Sequence, residues 1–254
     1  PDAIEPEHLD GRVELRDVRF SYQSDRPVLR GVSFTAAAGQ CVAIVGATGS
    51  GKSTVAGLIA KFYLPESGSI LIDGIDTRDL SSPWLHQHLG IVPQQNHLFA
   101  GSILENIRVV KPGASREEVR EALARLDCLD TIEAIPTNLD AEVGERGSSL
   151  SLGQRQLICF ARALIADPRI LILDEATSAI DPLTEARTQK AMRLLMAGRT
   201  SFVLAHRLST LRHADRVVVM GDGMVLEQGE PEELIEKGGA FAELWGKAVG
   251  SSSL

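Results

Sequence analysis

Apolar and polar positions follow a regular pattern along most of the chain. Between residues 11 and 40 apolar and polar positions alternate, as in half-buried strands, and a turn-forming stretch at residues 24–27 interrupts the pattern. A strand that is covered on both faces appears instead as an unbroken apolar run. Such a run lies at residues 41–45, and further strand signals, each rich in apolar residues, follow at residues 170–173, 201–205 and 216–220.

Predicted helices separate these strands. A glycine-rich loop after residue 45 leads into a helix over residues 52–63, and Asp181 and Pro182 begin another as its N-cap and first residue. Asp222 and Gly223 predict a hairpin turn after the last apolar run. Strands that alternate with helices favour an α/β fold with a mostly parallel sheet, preceded here by an antiparallel β portion.

The middle of the chain has a different character. Ser115 is followed three residues later by Glu118, and Ser151 is followed by Gln154 at the same spacing, so both pairs predict capped helix starts. We therefore expect a mainly helical insertion over about residues 81–166. The first ten residues are proline-rich and acidic, which predicts a linker ahead of one domain over residues 11–254.

Composition narrows the classes of function. The net charge is −8, from 34 acidic and 26 basic residues, and a broad nucleic-acid footprint would need clustered cations instead. We therefore expect no nucleic-acid partner. The apolar runs have strand length, whereas a membrane span needs about 20 apolar residues. The three cysteines lie far apart, which favours buried thiols in a reducing compartment over a disulfide framework or a metal site.

Residues 46–53 read GATGSGKS and match the G-x-x-x-x-G-K-[ST] pattern of a phosphate-binding loop. Glycines let backbone N–H groups surround phosphate oxygens, and the following helix presents the positive end of its dipole. We expect Lys52 to reach the β- and γ-phosphates, Ser53 to ligate Mg²⁺ and Thr54 to hold the α-phosphate region. The expected nucleotide-binding residues of this segment are Gly46, Thr48, Gly49, Ser50, Gly51, Lys52, Ser53 and Thr54.

A pair of carboxylates follows the apolar run at residues 170–173. Asp174 and Glu175 lie at the carboxyl end of a predicted buried strand, the edge at which α/β proteins bind ligands. Asp174 suits magnesium coordination, and Glu175 suits polarisation of an attacking water. An Asp-Glu pair after a strand is common, so the phosphate-binding loop is what gives it weight.

A second anion site is predicted at residues 150–156, which read LSLGQRQ at a helix start. Ser151, Gly153 and Gln154 are its expected nucleotide contacts. An ordinary capped helix would explain the segment when it is read alone. Because the loop at residues 46–53 already forms one cradle, the second one suggests a nucleotide contributed by a partner chain.

Together these segments resemble the nucleotide-binding domain of ATP-binding cassette (ABC) transporters over nearly the whole chain. The resemblance implies a RecA-like P-loop NTPase core with the two β and α additions predicted above. It also implies that Tyr22 stacks on adenine, that Gln94 is a catalytic residue linking Mg²⁺ to the membrane partner, and that His206 contacts the γ-phosphate. Residues 145–147 resemble the exporter X-loop, and residues 178–181 the D-loop.

The chain departs from the family pattern at three positions. Leu152 stands where the family motif LSGGQ has its first glycine, Gln95 stands where an acidic residue is usual, and Ile180 replaces the common leucine. Leu152 would be harmless if its side chain points away from the nucleotide, which we favour because the helix cap is intact, and it would weaken the partner's site otherwise. The other two changes remove no phosphate ligand.

Three functions fit the resemblance to different degrees. The favoured one is the ATPase motor of an exporter on the cytoplasmic face of the cell membrane, which uses ATP and Mg²⁺ and pairs with a second such domain and with transmembrane domains. The stretch LFAGSILENI at residues 98–107 supports it, because it resembles the exporter segment that receives the transmembrane part. A DNA- or ribosome-directed ATPase would need basic surfaces and long insertions. A half that binds ATP without hydrolysis often carries substitutions at the positions of Glu175 or His206, and both residues are present here. Leu152 keeps this third function open, because a defective signature would impair the partner's site instead.

Overall fold

The computed structural model describes residues 3–175, 182–205 and 208–251, and over these ranges it contains two β-sheets and ten α-helices. The strands are β1 Val13–Gln23, β2 Arg26–Ala36, β3 Cys41–Gly46, β4 Ser67–Ile72, β5 Ile75–Asp76, β6 Leu89–Val92, β7 Ile170–Asp174, β8 Thr200–Leu204, β9 Arg216–Gly221 and β10 Met224–Gly229. The helices are α1 Lys52–Ile59, α2 Ser82–Gln87, α3 Ile103–Arg108, α4 Arg116–Arg125, α5 Leu129–Glu133, α6 Leu152–Ile165, α7 Pro182–Met196, α8 Leu208–Leu211, α9 Pro231–Lys237 and α10 Ala240–Ser251.

The first sheet is antiparallel and has the strand order β2-β1-β4-β5. Its alternating pattern buries Val13, Leu15 and Val18 on one face. β1 and β2 form the hairpin expected from the turn residues near position 25. This sheet confirms the predicted antiparallel β portion.

The second sheet has the strand order β10-β9-β3-β8-β7-β6 and is mostly parallel. The apolar runs form its inner strands, and β10 pairs antiparallel with β9. The connecting hairpin turn has φ of 48° at Asp222 and 76° at Gly223, the two positive values that a type I′ turn requires. The predicted hairpin and the α/β fold class are therefore confirmed.

Helix α1 shares one hydrophobic core with both sheets through Val55, Leu58 and Ile59. The helix ends at Ile59, so the predicted helix over residues 52–63 is too long. Lys61 adopts a left-handed φ of 56°, and the Phe62 N–H donates to the Gly57 carbonyl at 2.9 Å, as in a Schellman ending. The sequence did not predict this helix end because the left-handed position after a helix usually holds glycine, whereas here it holds Lys61.

The described chain divides into two compact units. The first, called the core unit, contains residues 3–89, 169–175, 198–205 and 208–251. The second, called the helical unit, contains residues 90–168 and 182–197. The boundary falls inside β6. The expected linker over residues 1–10 and the expected insertion over about 81–166 stay predictions.

In the helical unit α6 packs against α3, α4 and α7. The capping boxes expected at its helix starts are present: Ser115 and Glu118 cap α4, and Ser151 and Gln154 cap α6. Helix α7 begins at Pro182 as predicted, while its expected N-cap Asp181 lies outside the described residues. Among the described residues no helix combines the length and the apolar character that a membrane span requires.

Candidate active site

The loop between β3 and α1 has a backbone that only glycine can form at two positions. Gly46 has a φ of 147°, and a methyl group there would overlap the carbonyl oxygen of Met220. Gly51 has a φ of 104°, and a methyl group there would come within 2.6 Å of Leu29 Cδ2. The loop can therefore curl tightly and turn its backbone N–H groups inward.

The Lys52 side chain lies inside this loop and is only 7% exposed. Its ammonium donates hydrogen bonds to the carbonyl oxygens of Gly46 at 2.8 Å and Ala47 at 3.0 Å. Burial lowers the pKa of Lys52, and the nearby carboxylate of Asp174 partly opposes this effect. The ammonium is thus held at the centre of the curl, where a negatively charged group would be stabilised.

Hydroxyl groups surround the same loop. Ser50 is 4% exposed, and its Oγ has no hydrogen-bond partner among the described residues. A buried hydroxyl without a partner is costly, so this atom fits a site that accepts a polar ligand. Gly49 has open space around its Cα, next to Thr48 in the loop, and Ser53 exposes its side chain in the first turn of α1. These features fit a bound phosphate chain.

The expected adenine-stacking residue Tyr22 lies in the core unit near α1. Its hydroxyl is 3.2 Å from the hydroxyl of the buried Thr54. The rings of Phe20 and Tyr63 meet it edge-on, at centroid distances of 5.0 and 5.2 Å, and 54% of the tyrosine remains exposed. These contacts orient the ring on the side of α1 that carries Thr54, the last residue of the expected phosphate-binding segment.

Asp174 and Glu175 lie at the carboxyl end of β7, as the apolar run predicted. Asp174 is in register with Leu204 of β8, and the Glu175 N–H donates to the Leu204 carbonyl at 3.3 Å. Glu175 is 5% exposed, and one of its carboxylate oxygens accepts a hydrogen bond from the hydroxyl of Thr210 in α8. The core unit therefore carries both the phosphate-binding loop and the carboxylate pair.

The expected magnesium ligands are Ser53, Asp174 and Gln94. Ser53 and Asp174 belong to the core unit, whereas Gln94 is an exposed residue of the helical unit. Within the described residues no cluster of three or more His, Cys, Asp or Glu side chains could hold a metal. This donor set fits Mg²⁺, which binds proteins through one or two side chains and takes its other ligands from phosphates and water.

The second predicted anion site lies at the start of α6 in the helical unit. Ser151 accepts a hydrogen bond from the N–H of Gln154 at 3.1 Å, and Gln154 Oε1 accepts one from the N–H of Ser151 at 2.9 Å. Gly153 is buried against α7, where a methyl group would overlap Thr184 Cγ2. Leu152 occupies the first helical position without disturbing the cap.

The segment ahead of α6 is held by Arg155, which sequence reasoning missed. Its guanidinium donates to the carbonyls of Gly147 at 3.1 Å and Leu150 at 2.7 Å. Residues Glu145–Gly147, the X-loop of the resemblance, form a 3₁₀ turn in which Arg146 has a φ of 53°. His206, Ile180 and Asp181, the remaining expected positions, lie outside the described residues.

Comparison with known proteins identifies the family. Residues 29–178 match the ABC transporter family. The chain belongs to this family. A β-(1→2)glucan export ATP-binding/permease protein of Rhodopseudomonas palustris (strain BisB18) is 51% identical over 96% of the chain and 40% of that protein. An uncharacterized ABC transporter ATP-binding protein of Bacillus subtilis (strain 168) is 48% identical over the same shares. The chain thus spans about 40% of the length of these relatives.

A solved structure supports the same conclusion. A bacterial Atm1-family ABC exporter with ATP bound superposes with a TM-score of 0.87 and 41% identity, over 97% of the chain and 44% of the exporter chain. The expected P-loop NTPase fold is therefore confirmed. So is the prediction of an ATP-binding ABC ATPase domain, and the relatives that it resembles include exporters. The roles of the individual site residues stay predictions.

Two residues of the ABC domain that sequence reasoning missed lie beside predicted ones. Thr210 contacts Glu175, although 35 positions separate them, and Tyr63 contacts Tyr22 across 41 positions. Thr210 follows a predicted strand and Tyr63 is the last residue of the helix predicted over residues 52–63, but neither belongs to a spacing pattern. Only the folded chain reveals these contacts.

Proposed function

We propose that this chain is the ATP-hydrolysing motor of a membrane exporter and that it works in pairs at the cytoplasmic face of the membrane. Two domains of this kind would close head to tail around ATP. In this arrangement Lys52 of one domain and Ser151 of the other grip the same γ-phosphate. Closure on ATP drives the transport step, and hydrolysis reopens the pair.

The observation that carries this proposal is the placement of Lys52. The side chain is almost fully buried, its ammonium donates to two backbone carbonyl oxygens of the loop, and of the described carboxylates that of Asp174 lies near enough to act on its pKa. A buried cation is expensive unless negative charge balances it. A triphosphate supplies that charge, and the curled backbone supplies N–H donors for the same oxygens.

The capped start of α6 supports the pairing. Ser151 and the first N–H groups of a 14-residue helix form a terminus with partial positive charge. This terminus belongs to the helical unit, while Lys52 belongs to the core unit. One chain thus carries two anion-binding elements of different construction. In a head-to-tail dimer each ATP would contact the loop of one domain and the start of α6 of the other, so both elements would be used at both sites.

Several residues are proposed to prepare the hydrolysis step. Ser53, Asp174 and Gln94 would hold Mg²⁺, which neutralises phosphate charge when it is bound. Glu175 would polarise the attacking water as a carboxylate, and His206 would contact the γ-phosphate. Tyr22 would stack on the adenine ring. Thr48 and the loop glycines would surround the phosphates.

Glu175→Gln tests the proposal most cleanly. The substitution keeps the side-chain shape but removes the negative charge that attracts a water proton. We expect steady-state phosphate release by the full-length protein to fall at least about a hundredfold, and ATP to trap a stable closed pair. Glu236→Gln, an exposed change in α9, serves as the control. Unimpaired phosphate release by the Glu175 variant would exclude Glu175 from catalysis.

A further inference from the structure

The Glu175 side chain is held by a contact that no motif contains. Its Oε1 accepts a hydrogen bond of 2.5 Å from Thr210 Oγ1, a length normal for a hydroxyl that donates to a carboxylate. Thr210 is 2% exposed and Glu175 is 5% exposed, so bulk water hardly competes for this bond. The threonine hydroxyl is the donor of this bond and the carboxylate oxygen is the acceptor.

The donor itself is rigidly placed. Thr210 belongs to α8 of the core unit, and a β-branched side chain in a helix has few χ1 choices. The next residue, Leu211, is 6% exposed, and α8 packs against α10. Glutamate has three flexible side-chain torsions, and a misplacement of about 1 Å at a reacting group costs on the order of a hundredfold in rate. A fixed hydroxyl therefore removes freedom that would harm catalysis.

We propose that Thr210 is a positioning residue for Glu175: its hydroxyl holds the carboxylate where it can polarise the attacking water. This inference rests on the proposed role of Glu175. In this role Thr210 acts only through Glu175, with no part in binding the nucleotide or in transferring a proton. Its loss should therefore slow the hydrolysis step and leave the binding of ATP intact.

The test compares Thr210→Val with Thr210→Ser in the full-length protein. Valine keeps the shape and removes the donor, and a hydrogen bond to a charged group is worth roughly ten- to hundredfold in rate. We expect kcat for ATP to fall by that factor in the valine variant, with KM changed less than about twofold. The serine variant should keep kcat within about threefold.

Thr77→Val is the matched control. Thr77 is also a fully buried threonine of the core unit, but its hydroxyl has no hydrogen-bond partner among the described residues. The same change of atoms there should leave kcat and KM at wild-type values. If Thr210→Val does not fold, Thr210→Ala carries the same expectation for kcat and KM.

The double variant Thr210→Val with Glu175→Gln separates the positioning role of Thr210 from the proposed catalytic role of Glu175. If Thr210 acts through the carboxylate, Thr210→Val should add no further loss to the residual single-turnover rate of the Glu175 variant. Three results would each overturn the inference. The first is a wild-type kcat in Thr210→Val, and the second is a loss of kcat in Thr210→Ser as large as that in Thr210→Val. The third is a double variant whose single-turnover rate falls below that of Glu175→Gln by the full factor seen for Thr210→Val alone. Wild-type turnover of Glu175→Gln alone would instead overturn the proposed function.

Discussion

At the scale of single residues, the chemistry is set by what burial does to each side chain. Lys52 is buried with its ammonium on two carbonyl oxygens of its own loop, and Glu175 is buried against a hydroxyl. Burial makes charge expensive unless it is balanced, so these placements suit the charged ligand and the polarised water that we propose for them. In the cysteines, by contrast, burial suppresses reactivity.

The three cysteines should be inert in the folded protein. Burial raises the pKa of Cys41 and of Cys128 to about 12, and it raises that of Cys159 as well. Because a thiol reacts as the thiolate, all three remain protonated and unreactive at pH 8. We expect iodoacetamide to modify none of them in the native protein and all three in denaturant. Rapid labelling of native Cys41 would contradict the assignment of a closed core around β3.

At the scale of elements, the spacing of α6 and α7 depends on one glycine. Gly153 leaves no room for a methyl group beside Thr184, because the two helices approach closely at that point. The family motif therefore has a packing reason at this position in addition to any contact with a nucleotide. Leu152, one residue earlier, has no such constraint and begins the helix normally.

Gly153→Ala should loosen the helical unit. We expect it to cost about 1–3 kcal/mol of local stability through overpacking, which appears as roughly ten- to hundredfold faster amide exchange in α6 and α7. Adding Thr184→Ser removes the methyl group that is overlapped, and should restore most of the protection. Hydrogen exchange read by mass spectrometry measures both variants. Equal exchange in Gly153→Ala and wild type would refute the close contact.

The elements could be predicted to different degrees. The phosphate-binding loop, the strand that ends in Asp174 and the cap at Ser151 follow from local patterns, because each depends on neighbours within a few residues. The sheet order with β3 between β8 and β9 could not be predicted, since it depends on contacts across more than 150 residues. For the same reason the pairing of Thr210 with Glu175 appears only in the folded chain.

Some local features also escaped prediction. Asp73 accepts hydrogen bonds from the N–H groups of Asp10, Gly11 and Arg12, so one carboxylate fixes the end of the expected linker. Acidic residues in turns are common, and the sequence does not distinguish this one. The helix end at Ile59 was missed because Lys61, rather than glycine, takes the left-handed conformation.

At the scale of the whole molecule, the proposed coupling to a membrane partner depends on the segment around Phe99, which is 59% exposed. Asn106 holds this segment by accepting from the Phe99 N–H at 2.8 Å and donating to its carbonyl at 2.9 Å. Arg162 donates to the Asn106 carbonyl and lies 5.5 Å from the centroid of the Phe99 ring. A large apolar side chain held rigidly in water suits a protein contact.

Phe99→Ala should uncouple the motor without stopping it. We expect basal ATP hydrolysis of the full-length protein to stay within about twofold, while transport falls about tenfold or more because the proposed aromatic contact with the membrane partner is lost. Met224→Ala, a change of another exposed apolar side chain in the edge strand β10, is the control and should affect neither rate. Transport at the wild-type rate in the Phe99 variant would remove this segment from the coupling surface.

The central claim is that the buried ammonium of Lys52 binds the phosphates of ATP. Phosphate release by the full-length Lys52→Ala variant tests it most directly, with the exposed Lys237→Ala as the control. The account predicts that turnover falls at least about a hundredfold in the Lys52 variant, since a charge-assisted contact in a closed site is lost, and that the control hydrolyses ATP normally. Wild-type turnover in Lys52→Ala would contradict the account.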